Sequence, residues 1–129
     1  MAKDRFEQDL RTFVKNTLRR ASLRWRPRSD AFAAARIERG LYQCKMCKEG
    51  FKRDQVILDH INPVVPITGS DITIEQWIRG LLVPAEGFQV LCKTCSDAKT
   101  AIEDKMRAKA NQARKELEKK KKREKNESN

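Results

Sequence analysis

The chain has 129 residues, of which 29 are Lys or Arg and 18 are Asp or Glu, a formal net charge of +11. That length suits one small domain with extensions and is too short to fill two independent cores, while the charge favours a polyanion, nucleic acid foremost, as partner. No apolar run approaches the roughly 20 residues that a membrane helix needs, and the start MAKDRFEQDLRTF lacks the apolar core of a secretory signal, so a cytosolic protein with no membrane partner is expected.

Over residues 6–23 the apolar or small side chains Phe6, Leu10, Phe13, Val14, Thr17, Leu18 and Ala21 recur at helical spacing and predict an amphipathic helix. Pro27 breaks the pattern, because proline restricts the residue before it, and Ser29 or Asp30 then offers a cap for a second helix from about Ala31 to Arg39, ending at Gly40. Arg19, Arg20, Arg24, Arg26 and Arg28 surround Trp25; they suit phosphate gripping with base stacking, or equally a solvated basic face. A strand is predicted over 42–47, a turn at Lys48, Glu49 and Gly50, and a second strand over 55–61, the two joined at a metal knuckle. Pro63 and Pro66 end that strand. A short helix over 71–79 follows, with Ile74, Trp77, Ile78 and Leu81 on the side expected to pack over the hairpin. Phe88, Gln89, Val90 and Leu91 re-enter the core, and the second cysteine pair opens a helix through Ala98, Ile102 and Met106. Past Ala110 the chain runs into Lys119, Lys120, Lys121, Lys122 and Arg123, a stretch unable to bury a face. It is read as a projecting helix or a disordered arm, either solubilising or binding phosphates without sequence preference.

Cys44-x-x-Cys47 and Cys92-x-x-Cys95 present four soft thiolates in the ligand set and local spacing of a tetrahedral zinc site. In a reducing compartment such pairs hold metal rather than disulfides, and a clip of this kind compensates for a chain only 39% hydrophobic. A Zn²⁺ with four thiolates has no open position for substrate, so the ion is expected to be structural.

The order Cys-x-x-Cys, then Leu58-Asp59-His60-Ile61-Asn62-Pro63, then Leu91-Cys92-Lys93-Thr94-Cys95 leading into Asp97-Ala98-Lys99-Thr100 resembles the zinc-bearing HNH endonucleases of phages and bacteria, over residues 42–103. The resemblance implies a small ββα-metal core, placed at 41–106; neither flank carries it, and the helical spacing and charge of the flanks add an N-terminal basic helical extension at 1–40 and a basic C-terminal helical or disordered arm at 107–129, an α+β chain in all. It implies the host cytosol if the protein is phage-encoded. It also implies Asp59 as a ligand of a catalytic divalent ion and His60, the single histidine, as the base that activates water. Two positions depart from the family pattern. Gly87 stands where an asparagine is usual, and Ser96 replaces the histidine or asparagine that completes the metal site. A serine hydroxyl or the adjacent Asp97 suits Mg²⁺ or Mn²⁺ better than softer ions.

Two functions follow as expectations. One is a metal-dependent endonuclease or nickase acting on double-stranded DNA, with Arg24, Arg26, Arg28, Lys99 and the 119–123 run gripping the backbone. The other is a catalytically degenerate module of the same type that binds nucleic acid or a protein partner without cleavage. A zinc-ribbon accessory factor for a larger machine is a third possibility.

Overall fold

A computed structural model describes residues 2–68 and 71–127, with side chains from residue 4 onward. The chain is α+β: four helices, a three-stranded sheet and a separate two-stranded sheet are found among the described residues. No described helix is long and apolar enough to cross a membrane.

Helix α1 spans Ala2–Ser22, with Asp4 in its first turn and Arg19 and Arg20 in its last, the charge order that a helix dipole favours. Only the C-terminal half of its apolar stripe is packed. Val14 and Leu18 are half-buried, whereas Phe6 and Phe13 remain 64% and 68% exposed. Helix α2, Arg26–Ala35, begins five residues before the expected start at Ala31 because Pro27 lies in its first turn. An N–H is surplus there and proline's fixed φ already suits a helix. The helix also ends earlier than expected. Arg36–Glu38 forms strand β1, which turns back at Gly40 (φ +80°) to pair with β2, Leu41–Gln43. A helix C-cap and a tight hairpin both call for a left-handed glycine, so Gly40 marks the reversal without saying which element precedes it.

The six residues after β2 form the knuckle, and β3, Gly50–Phe51, closes a hairpin in which Tyr42 faces Phe51 and Gln43 faces Gly50. The expected pairing of the 42–47 strand with the 55–61 strand is therefore corrected. Strand β4, Val56–His60, instead pairs antiparallel with β5, Phe88–Cys92, in the register Val56↔Cys92 through His60↔Phe88. That register places Val56, Phe88, Val90 and Cys92 on one buried face, an alternation that local spacing cannot reveal because residues 61–87 intervene.

Helix α3, Ile74–Leu81, starts at a capping box. The Gln76 N–H donates to Thr73 Oγ1 at 3.1 Å and the Thr73 N–H to Gln76 Oε1 at 2.9 Å, which moves the start inward from Asp71. Its Trp77, only 1% exposed, lies under α1, with the Lys15 ammonium and the Arg19 guanidinium each 5.6 Å from the ring centroid. The expected packing over the hairpin is thus largely replaced by packing under α1. Helix α4 spans Lys93–Glu127, 35 residues and about 52 Å at 1.5 Å per residue. It stays attached as far as Arg107, whose guanidinium donates to the Val65 and Pro66 carbonyls, and from residue 111 onward every described residue is exposed.

Candidate functional site

Four cysteines from three elements converge. Cys44 follows β2, Cys47 lies in the knuckle, Cys92 ends β5 and Cys95 occupies the first turn of α4. The knuckle is shaped by backbone hydrogen bonds: Cys44 N–H to Glu49 O at 2.9 Å, Lys48 N–H to Cys44 O at 3.0 Å, and Lys45 N–H across to Val90 O at 2.8 Å. Lys48 adopts φ +65° to complete the turn. All four Sγ atoms lie within 4.8 Å of one another and none is in a disulfide. A tetrahedral Zn–S site with bonds near 2.3 Å needs S···S edges of about 3.8 Å, and Cys47 and Cys92 already stand at 4.0 Å. The residues present fit a metal such as zinc.

Local electrostatics agree with that fit. Burial opposes ionisation of Cys44, yet backbone N–H groups of Cys47, Cys92 and Met46 point at its sulfur and lower its pKa to about 6. Cys95 is pushed up to about 12, chiefly by its bond to Cys92, then by burial and the other two sulfurs. One thiolate forms readily and suppresses its neighbours; a dication removes the mutual repulsion and releases the remaining protons.

The second feature is the Asp59-His60 pair at the end of β4. Side chains alternate along a strand, so these neighbours face opposite sides of the β4–β5 sheet. Asp59 faces α4. Its Oδ2 accepts from Lys99 Nζ at 2.9 Å and from Gln89 Nε2 at 3.0 Å, Gln89 being its cross-strand partner. Lys99 also pairs with Glu103 and donates to the His60 carbonyl at 3.3 Å. Burial alone would lower the Lys99 pKa, but the bonds to Glu103 and Asp59 outweigh it and raise the value.

His60 faces the other way, its ring 4.8 Å from that of Phe88 and its Nε2 2.8 Å from the Leu81 carbonyl at the end of α3. A carbonyl only accepts, so Nε2 is the donor in this bond, and the neutral tautomer that makes it carries its lone pair on Nδ1. Among the described residues no hydrogen bond reaches Nδ1.

Ser96 is half-buried and Asp97 exposed; they follow Cys95 directly, with Asp97 just past the first turn of α4. Apart from the four cysteines, no three His, Cys, Asp or Glu groups converge among the described residues. Lys99, expected at a phosphate, is instead only 18% exposed and held between two carboxylates. Arg24 and Arg26 are exposed and Arg28 is half-buried over Phe88. Lys119, Lys120, Lys121, Lys122 and Arg123 ride the exposed end of α4. Trp25, still partly exposed, is anchored at its ring edge, where its Nε1–H donates to Val83 O at 2.7 Å.

Gly87 has a structural reason. A Cβ there would lie 2.6 Å from Val83 Cγ2, so the asparagine of the family pattern has no room. Sequence reasoning missed Gln89, Glu103 and Leu81 as partners of the pair. The Lys99 and Glu103 spacing of four on one helix was a readable signal, whereas Gln89 and Leu81 become neighbours only through the long-range pairing of β4 with β5. In comparisons with protein-family models, curated proteins and solved structures, none matches this chain.

Proposed function

We propose that the chain is a divalent-metal-dependent DNA endonuclease or nickase of HNH type, its ββα-metal core formed by β4, β5 and α4. One observation carries the reading. Asp59 and His60 close one strand of an antiparallel pair that runs through the cysteine knot directly into a helix bearing Ser96, Asp97 and Lys99 in its first turns.

The Lys99 ammonium, held by Asp59 and Glu103, marks this pocket of oxygens as cation-seeking. Asp59 with Ser96 or Asp97 would hold Mg²⁺ or Mn²⁺, whose remaining positions belong to water and substrate phosphate. Such an ion, when bound, supplies charge stabilisation at the scissile phosphate and the leaving oxygen. His60 takes the proton from water at Nδ1 while Leu81 O holds Nε2–H and fixes the ring. The cysteine-bound metal is structural, and the exposed lysines of α4 with Arg24 and Arg26 add non-specific attraction to the duplex backbone.

A second reading is favoured by Lys99 itself, which already neutralises Asp59 beside a serine in the completing position. It is a non-cleaving module of the same design that binds nucleic acid or a protein. Supercoiled plasmid incubated with Mg²⁺ or Mn²⁺ separates the two. The nuclease reading expects nicked or linear product, reduced about 10²–10⁴-fold in His60→Ala; intact plasmid with both proteins sinks it.

A further inference from the structure

We propose that Arg28 and Arg53 together form one anion site, taking a phosphodiester of the bound strand, next to the Phe88 ring that also contacts His60. A continuous row of side chains leads there. The His60 ring packs on Phe88 at 4.8 Å, the Arg28 guanidinium lies 5.6 Å from the Phe88 centroid, and Phe32 follows Arg28 one turn along α2. Arg53, from the turn before β4, stacks its guanidinium 3.7 Å over Phe32, and that ring is braced edge-on against Tyr42 at 6.0 Å. Both cations are thereby held by aromatic faces rather than waving in solvent, so ligand binding costs little side-chain entropy.

What the row lacks is negative charge. No ion pair to Arg28 or Arg53 is found among the described residues; the first turn of α2, where Arg28 sits, contains no acidic residue, and Asp54, beside Arg53 in its turn, is not paired with either arginine. Burial and the like charge of Arg53 both lower the Arg28 pKa. Arg28 and Phe32 stand one turn apart on α2 and the Arg53 guanidinium stacks on Phe32, which makes the two cations neighbours; an anion between them offers oxygens to both, and phosphate suits guanidinium forks. An acidic side chain would have served if the pair were only structural. Naming the anion as a strand phosphate rests on the nuclease reading above; the anion site itself does not.

The test begins with the unmodified, zinc-loaded protein. Inorganic phosphate is titrated while the arginine Nε–Hε resonances are followed by NMR, and Arg28 and Arg53 are expected to shift together with one dissociation constant. Separate constants, or no shift, overturn the site. A short DNA duplex added next is expected to displace phosphate from the same two resonances; a response to inorganic phosphate alone overturns the assignment to a strand.

Duplex affinity against salt supplies the count. The slope of log K on log salt should fall by about 0.9 in the doubly substituted Arg28→Gln, Arg53→Gln protein, one phosphate lost. A fall of about 1.8 means two independent contacts, and an unchanged slope means none; either overturns the shared site. Plasmid cleavage is read separately. Absence of phosphate binding by the unmodified protein with its cleavage intact rejects this inference alone, and phosphate binding by that protein without any cleavage rejects the nuclease alone.

Discussion

Removing the metal proposed for the four thiolates should destabilise the sheet that carries Asp59 and His60. The knot joins positions as far apart in sequence as Cys47 and Cys92, separated by 45 residues. Opening a loop of that length forfeits about 4 kcal/mol in the chain-entropy treatment of cross-links. A small domain holds about 5–15 kcal/mol in all, so the loss is a large fraction. The packing makes it worse, since Cys44, Leu91 and Cys92 form the buried cluster against which Phe51 and Cys95 rest. Four kilocalories correspond to a fall of about 15–30 °C in Tm for a domain of this size. The assay is a thermal melt followed by near-ultraviolet circular dichroism, with and without a zinc chelator, with metal counted by mass spectrometry on the same samples. Chelated protein that carries no metal and yet melts within about 5 °C of the untreated sample would refute the reasoning.

Other substitutions probe the pieces around the knot. Lys99→Met leaves Asp59 and Glu103 facing each other half-buried and should cost about 1–3 kcal/mol in urea unfolding; a change under about 0.5 would show that the ion pairs are solvent-screened. Gly87→Ala forces a Cβ to 2.6 Å from Val83 and should lower stability by about 1–3 kcal/mol, read as a shift in denaturation midpoint. Trp25→Phe removes the indole bond to Val83 O and should cost about 1 kcal/mol, with little change in DNA affinity if Trp25 anchors α2 rather than stacking on a base.

The parts of the fold that were legible in sequence are those written in local spacing. The two Cys-x-x-Cys pairs announced a metal cluster because ligand chemistry and spacing are both local, and the four sulfurs do meet. The 3.6-residue rhythm found α1 and the start of α4. Errors came where one residue type serves two geometries. Pro27 reads as a breaker or as a first-turn residue, and Gly40 as a helix cap or a hairpin turn. The partner of β4 was hidden for a different reason. Strand pairing across residues 61–87 is decided by which faces can be buried together, and the sequence between gives no register.

The strand geometry also restricts where a ligand of Asp59 and His60 can sit. Adjacent residues on a regular strand point to opposite faces, so the pair cannot converge on one atom from within the sheet. Convergence is possible only past the strand end, where both side chains can reach around the last rung. His60 is the final residue of β4 and faces Phe88, the first of β5; one further bond, Ile61 N–H to Gly87 O at 3.0 Å, closes that end, and the exposed Ile61 and Asn62 follow. The cysteine knot lies at the other end, where Val56 faces Cys92. Four steps of about 3.3 Å separate these rungs, so the two sites are about 13 Å apart along the strand. A metal held by the thiolates would be too distant to touch a phosphate at His60, and under the proposed function its part would be to hold the β5–α4 corner. Arg28 lies over Phe88 at the His60 end, whereas Arg53, just before Val56, starts from the thiolate end and reaches Phe32 on α2. Under the proposed function, the Asp59-His60 pair and Arg28 therefore share one end of the hairpin, with the thiolates fixed at the other.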